Sequence, residues 1–231
     1  MSYEFMENIT DSVINNESGI KKLFDVMKEH LQNTEFNEQS GIEHELAEGV
    51  EFSDIIGSPE KDMENWEHQT EHNSCAIACQ KYVAEQLTGI EFSEERMIEY
   101  AKEQNWYDSE TGTSLEDVGN LLEDIGLDVE RKFDGSLQEI TQCLAGDGKV
   151  ICAINSAVLK CPEFSDIPGY KADHAVEITG VGIAENGDLK VIMNDPDMEN
   201  GYGLCYDADV FLKSWSSSGN YMVSVSAKEA L

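Results

Sequence analysis

The feature that most constrains the fold of this chain is a change of rhythm near residue 149. Beyond that point apolar residues come in short alternating or continuous runs: Val150-Ile-Cys-Ala-Ile, Ala175-Val-Glu-Ile, Leu189-Lys-Val-Ile-Met and Tyr221-Met-Val-Ser-Val. Runs of this length and period read as strands. Ahead of it the spacing is helical. Cys75-Ala-Ile-Ala-Cys-Gln-Lys-Tyr-Val-Ala-Glu-Gln-Leu is apolar nearly all round its first turn, the pattern of a buried helix. Ser93 opens a second helix through Met97, Ile98 and Tyr100. Thr113 with Glu116, and Ser136 with Glu139, are capping-box signatures. The first predicts a helix through Leu115, Val118, Leu122 and Ile125 stopped by Gly126, and the second a short helix ending near Gly146. A brief helix from Asp209 to Trp215 separates the last two strands. Helices first and strands afterwards, without internal repeats, predict an α+β fold with a helical layer packed on an antiparallel sheet.

Length and charge set the limits of function. The 231 residues, 40% hydrophobic, suffice for one large domain with an appendage, and no apolar run is long enough to span a bilayer. Residues 1–65 carry 16 acids against 4 lysines and read as an acidic extension. Within it Ile20, Leu23, Phe24, Met27 and Leu31 follow the spacing of an amphipathic helix, with Ser18 placed to cap it. Residues 66–231 form the expected main domain. The lack of a bilayer-spanning run predicts no membrane partner, and a net charge of −32 without a Lys/Arg cluster argues against nucleic acid and for a basic partner, if the partner is charged. The N-terminus lacks the basic and apolar regions of a secretory signal, so a cytoplasmic location is expected, with export by a specialised system left open. Six cysteines in that setting predict free thiols.

Of five histidines, only His174 opens a predicted strand. The next strand ends Ile192-Met-Asn-Asp-Pro, and adjacent antiparallel strands bring Asp195 within reach of that imidazole. Cys75 stands at the start of the buried helix, where unpaired N–H groups and the macrodipole favour a thiolate. Gln69, six positions upstream, can donate to a developing oxyanion together with the Cys75 backbone N–H. Nucleophile, base, orienting carboxylate and oxyanion donor are all present.

Gln69, five residues, Cys75 at a helix start, a distant strand histidine and Asn-Asp-Pro together resemble papain-like cysteine peptidases of the bacteriocin-processing, double-glycine leader type and their stand-alone relatives. Gly112-Thr-Ser-Leu-Glu-Asp-Val, Leu121-Leu-Glu-Asp-Ile-Gly-Leu-Asp-Val and Gly148-Lys-Val-Ile-Cys-Ala-Ile extend the likeness, which runs from about residue 66 to 226. The resemblance implies a papain-like fold, a peptide or protein substrate, and no cofactor. It assigns Cys75 as nucleophile, His174 as general base and acid, Asp195 as orienting carboxylate and Gln69 as oxyanion donor. The family usually has Asp before and Gly after the nucleophile, where this chain has Ser74 and Ala76.

Three alternatives accompany this expectation. The same residues support acyl transfer or deamidation, because an acyl-enzyme can be captured by an amine. A non-catalytic binding domain of the same fold is the second. A zinc site from His68, His72, Cys75 and Cys79 is the third, although it leaves Gln69, His174 and Asp195 unexplained. Cys79, Cys143, Cys152, Cys161 and Cys205 read as structural thiols, His68 and His72 as solvent-facing, and Trp215 as core. Trp66, Trp106 and Tyr107 read as packing residues more readily than as a substrate groove. Oligomeric state is not legible.

Overall fold

A computed structural model of the chain describes residues 45–46, 50–166, 169 and 171–227. The amphipathic helix expected between Ile20 and Leu31 lies outside the described residues. Eight strands form one sheet: β1 (Glu45–Leu46), β2 (Phe52–Gly57), β3 (Asp128–Lys132), β4 (Lys149–Ile154), β5 (His174–Ala184), β6 (Leu189–Asn194), β7 (Leu204–Asp207) and β8 (Met222–Ser226). Their order is β1-β7-β6-β5-β4-β8-β3, with β2 also on β5, and every pairing is antiparallel. The helices are α1 (Pro59–Asp62), α2 (Cys75–Thr88), α3 (Glu94–Gln104), α4 (Asn120–Asp124), α5 (Leu137–Ala145), α6 (Ser156–Lys160) and α7 (Ala208–Ser216). None of the described helices is long and apolar enough to cross a membrane.

The continuous apolar run of β4 reflects a sheet covered on both faces. Val150, Cys152 and Ile154 join a core with Ile140 and Leu144 of α5 and Phe211 and Trp215 of α7. The alternate residues, Ile151 and Ala153, join a second core with Cys79 and Val83 of α2 and Leu122 of α4. A pleat that points successive side chains to opposite faces needs apolar residues at every position when helices lie on both. Trp215 is fully buried, as expected.

β5 is the longest strand and the organiser. Its first half pairs with β4, its second half pairs with β2 on the same edge, and β6 runs along the other edge. Residues 52–65, read from sequence as part of the extension, thus contribute a strand and a helix to the packed unit. The sequence did not predict β1, β2, β3 or β7: β1 is two residues long, Asp54 interrupts β2, Val129 is the one apolar residue of β3, and β7 is four residues ending in Asp207.

The capping box at Ser136 and Glu139 is present and opens α5, and the Ser93 hydroxyl accepts from the Arg96 N–H to open α3. The box at Thr113 does not form. Residues 115–119 turn instead, and α4 begins only after Gly119, whose φ is 100°. A Cβ there would lie 2.8 Å from Val129 Cγ1, so close packing on β3 selects glycine and glycine ends the helical path. Gln80 of α2 substitutes for the missing cap: its Oε1 accepts from the N–H groups of Gly119 and Leu121 at 2.9 and 3.2 Å.

A polar network is buried where α1, β4, β5 and β6 meet. Lys149 Nζ lies 2.5 and 2.6 Å from the two Asp62 oxygens, and Asn194 Nδ2 donates to Glu177 Oε2 at 2.8 Å. Burial, reinforced by the Asp62 charge, pushes Glu177 up to about 8 against the opposing hydrogen bonds of Asn194 and Gln86 and the charge of Lys149. The folded protein therefore holds a proton here that the unfolded chain releases above the ordinary glutamate range, and stability is lost as pH rises toward 8. Glu177→Gln should raise the melting temperature by several degrees more at pH 9 than at pH 5, measured by thermal unfolding of both proteins across that range.

Candidate active site

α2 lies against the start of β5, with Cys79 Sγ 3.5 Å from the Ala175 carbonyl. This puts the helix N-terminus beside the first residue of the strand. Ser74, the residue before the helix, makes no side-chain cap onto it. Cys75 is the first helical residue and its N–H has no helical acceptor, so the N-terminal field falls on the thiol and on whatever it attacks.

His174 is the first residue of β5, and Asp195 follows the last residue of β6, the neighbouring strand. His174 Nε2 is 2.7 Å from Asp195 Oδ1, which leaves Nδ1 as the other nitrogen of the ring. Burial works against the imidazolium, but the hydrogen bonds it donates to Asp195 and Cys75, together with their charges, outweigh it and hold His174 up at about 10. Asp195 is held below the usual carboxylate range: burial alone would raise it, and the His174 bond and charge and the Asp197 N–H bring it down. The Asp197 N–H donates to Asp195 Oδ1 at 2.9 Å. Trp66 Nε1 donates to the Asp195 carbonyl at 2.8 Å, and its ring meets Tyr202 edge-on with centroids 5.4 Å apart. Trp66 is therefore a packing residue behind the carboxylate.

Gln69 is buried in the loop that leads to α2, tied to the Asp195 segment by its own N–H, which donates to the Pro196 carbonyl at 2.9 Å. Its amide nitrogen donates to the carbonyls of Glu71 and His72 at 3.0 and 2.8 Å, and its Oε1 is buried without a partner among the described residues. Both amide hydrogens are engaged by the loop itself. Cys75, His174 and Asp195 are thus gathered into one chain of contacts, with Gln69 beside them but turned onto its own loop. The ligands of the alternative zinc site are not gathered: His68 and His72 are exposed, Cys79 is fully buried, and no cluster of three or more metal-binding side chains exists among the described residues. Burial raises the Cys79 thiol well above its ordinary range, which fits a core residue.

A cavity of about 420 Å³ opens over the thiol, lined by Cys75, His174, Gly112, Ala153, Ser156 and Asp197 among others. One wall is the turn between Asp108 and Gly112, fastened to the site by Asn73, whose Nδ2 donates to the carbonyls of Ser109 and Glu110 at 2.9 and 3.1 Å. The motif Gly112-Thr-Ser marks this wall in the sequence; the fastening role of Asn73 has no sequence signal.

Neither a family model nor a curated protein sequence matches the chain. Solved structures do. A Bacillus anthracis protein described as a C39-like peptidase superposes with a TM-score of 0.56 at 11% identity, covering 77% of this chain and 100% of that one. The ragweed pollen cysteine protease Amb a 11, in its proform, gives a TM-score of 0.53 at 12% identity over 78% of this chain and 66% of that one. The fold is papain-like. The peptidase domain of Streptococcus ComA, a bi-functional ABC transporter, is also similar, with a TM-score of 0.48 at 16% identity over 70% of this chain and 96% of that one. The α+β papain-like architecture expected from the sequence is the one observed.

With its pKa held near 10, the His174 ring remains protonated through neutral pH. Its pairing therefore stabilises the fold fully below about 6.5 and loses that contribution as pH rises toward 10. Imidazole NMR titration should show a His174 ring still charged at pH 8, and Asp195→Asn should move its midpoint down.

Proposed function

We propose that the chain is a cysteine peptidase that hydrolyses peptide bonds through Cys75, His174 and Asp195. The observation that carries this reading is the His174–Asp195 pair set against a cysteine at the first position of a buried helix, inside a papain-like fold. In the proposed reaction the Cys75 thiolate attacks the scissile carbonyl carbon. The carbonyl oxygen takes the negative charge and faces the Cys75 backbone N–H. The His174 imidazolium gives its proton to the departing amine, leaving a thioester. Neutral His174 then takes a proton from water, the hydroxide equivalent adds to the thioester, and collapse releases the acid and restores the Cys75 thiolate beside the His174 imidazolium. Asp195 keeps the ring oriented and its charge compensated throughout.

Gln69 is the second oxyanion donor in this scheme. To act, its amide must release one of the carbonyls of Glu71 and His72, so the loop has to yield as substrate enters. The cavity suits an extended peptide, and the exposed Asp197 at its edge, with the net charge of −32, favours a basic one. The peptidase unit is taken to include β1, β2 and α1, with the acidic stretch ahead of β1 as an appendage.

Turnover of a fluorogenic peptide library, with products identified by mass, tests the reading. Cys75→Ala and His174→Ala should each lower turnover by at least ~10³-fold. Asp195→Asn should hurt less, because an amide still orients the ring. Full activity in Cys75→Ala would rule the mechanism out, and amide products that appear only with added amines would reassign the chemistry to acyl transfer.

A further inference from the structure

Glu94 is the first residue of α3, is 4% exposed, and has no lysine or arginine partner among the described residues. A buried carboxylate without a counter-charge is costly unless hydrogen bonds compensate it. Among the described residues, its hydrogen-bond partners come from the loop between Gln69 and Cys75. The Thr70 N–H lies 3.1 and 3.2 Å from the two carboxylate oxygens, and the Ser74 hydroxyl lies 2.7 Å from Oε1. The Ser74 oxygen in turn accepts from the Glu71 N–H at 3.2 Å. The Glu71 carbonyl, 2.8 Å from the same hydroxyl, competes for its single hydrogen, and a carboxylate is the stronger acceptor.

The two anchored residues occupy telling positions. Thr70 directly follows Gln69, and Ser74 directly precedes Cys75. One carboxylate from another helix therefore fixes both ends of the segment separating the side-chain amide from the backbone N–H of the nucleophile. We propose that Glu94 is a positioning residue that sets the spacing of the two oxyanion donors by holding Thr70 and Ser74. This rests on the peptidase reading above and adds to it a residue outside the loop and outside the His174–Asp195 pair.

Two reactions of Cys75 separate this role from a general structural one. Alkylation by iodoacetamide forms an S–C bond as iodide leaves and needs only the thiolate. Acylation by p-nitrophenyl acetate forms a thioester as p-nitrophenolate leaves, and passes through an oxyanion. Both rates are measured on the full chain for wild type, Glu94→Gln and Ser74→Ala, with the modified cysteine identified by mass. The expected result is alkylation of Cys75 no slower than wild type in either variant, with acylation reduced roughly 10-fold or more, on the scale of a weakened oxyanion donor. Ser74→Ala removes one hydroxyl only and carries the test if Glu94→Gln does not fold. Wild-type acylation matched by the variants overturns the proposal, as does a parallel fall in both reactions. A wild-type chain whose Cys75 is alkylated but never acylated overturns the peptidase reading itself, and this proposal with it.

Discussion

The site depends on one packing constraint, the seating of α2 on the start of β5. The helix is buried over most of its length, and from Ala76 to Ala84 no residue is more than marginally exposed. Its axial position relative to the sheet is set by the Cys79 contact with Ala175 and by the shared core of Val83, Leu122, Ile151 and Val223. Sliding the helix by one turn would open cavities throughout that core, at a cost of several kcal/mol. The thiol at the helix N-terminus and the imidazole at the strand's first residue therefore meet because the core beneath them has one good fit.

Around that fixed point the protein holds its polar groups by short-range stitching. Asp195 is gripped by His174 and by the Asp197 N–H, and its backbone by the Gly201 carbonyl and the Trp66 indole. The segment from Gln69 to Ser74 closes on itself and on Glu94. Glu71 within it is held by Tyr107 and Lys102, whose hydrogen bonds keep its carboxyl below the ordinary range. A site built from two loops, a helix start and a strand end needs this, because loops lack a repeating backbone ladder to fix side chains. The Lys149–Asp62 pair places charge beneath the sheet, and protonated Glu177 with Asn194 adds a buried polar pair beside it; satisfying both demands correct registration of α1, β4, β5 and β6.

Much of this was readable in advance wherever a local rule had no competitor. The helices opening at Ser93 and at Ser136 follow from capping chemistry and lie where expected. The runs beginning near Val150, Ala175, Leu189 and Tyr221 are the central strands, because burial on both faces leaves an unmistakable apolar signature. The box at Thr113 misled because Gly119 answers to Val129 across the core rather than to its own neighbours. β2, β3 and β7 escaped detection because each mixes polar with apolar residues, and such strands are specified by their partners more than by pattern.

The sequence by itself determined the α+β class, the buried character of α2, and the short set of chemically capable residues in which Cys75, His174, Asp195 and Gln69 stood out. Those properties are local: they depend on residue type, period and position relative to a helix or strand end. Only the tertiary structure decided that residues 45–46 and 52–57 join the sheet. It also decided that Gln69 turns its amide onto its own loop and that Glu94, twenty residues past Ser74, reaches back to hold that loop. These are contacts between elements distant in sequence, fixed by the packing of helices on a sheet, and no periodicity or motif within one element encodes them.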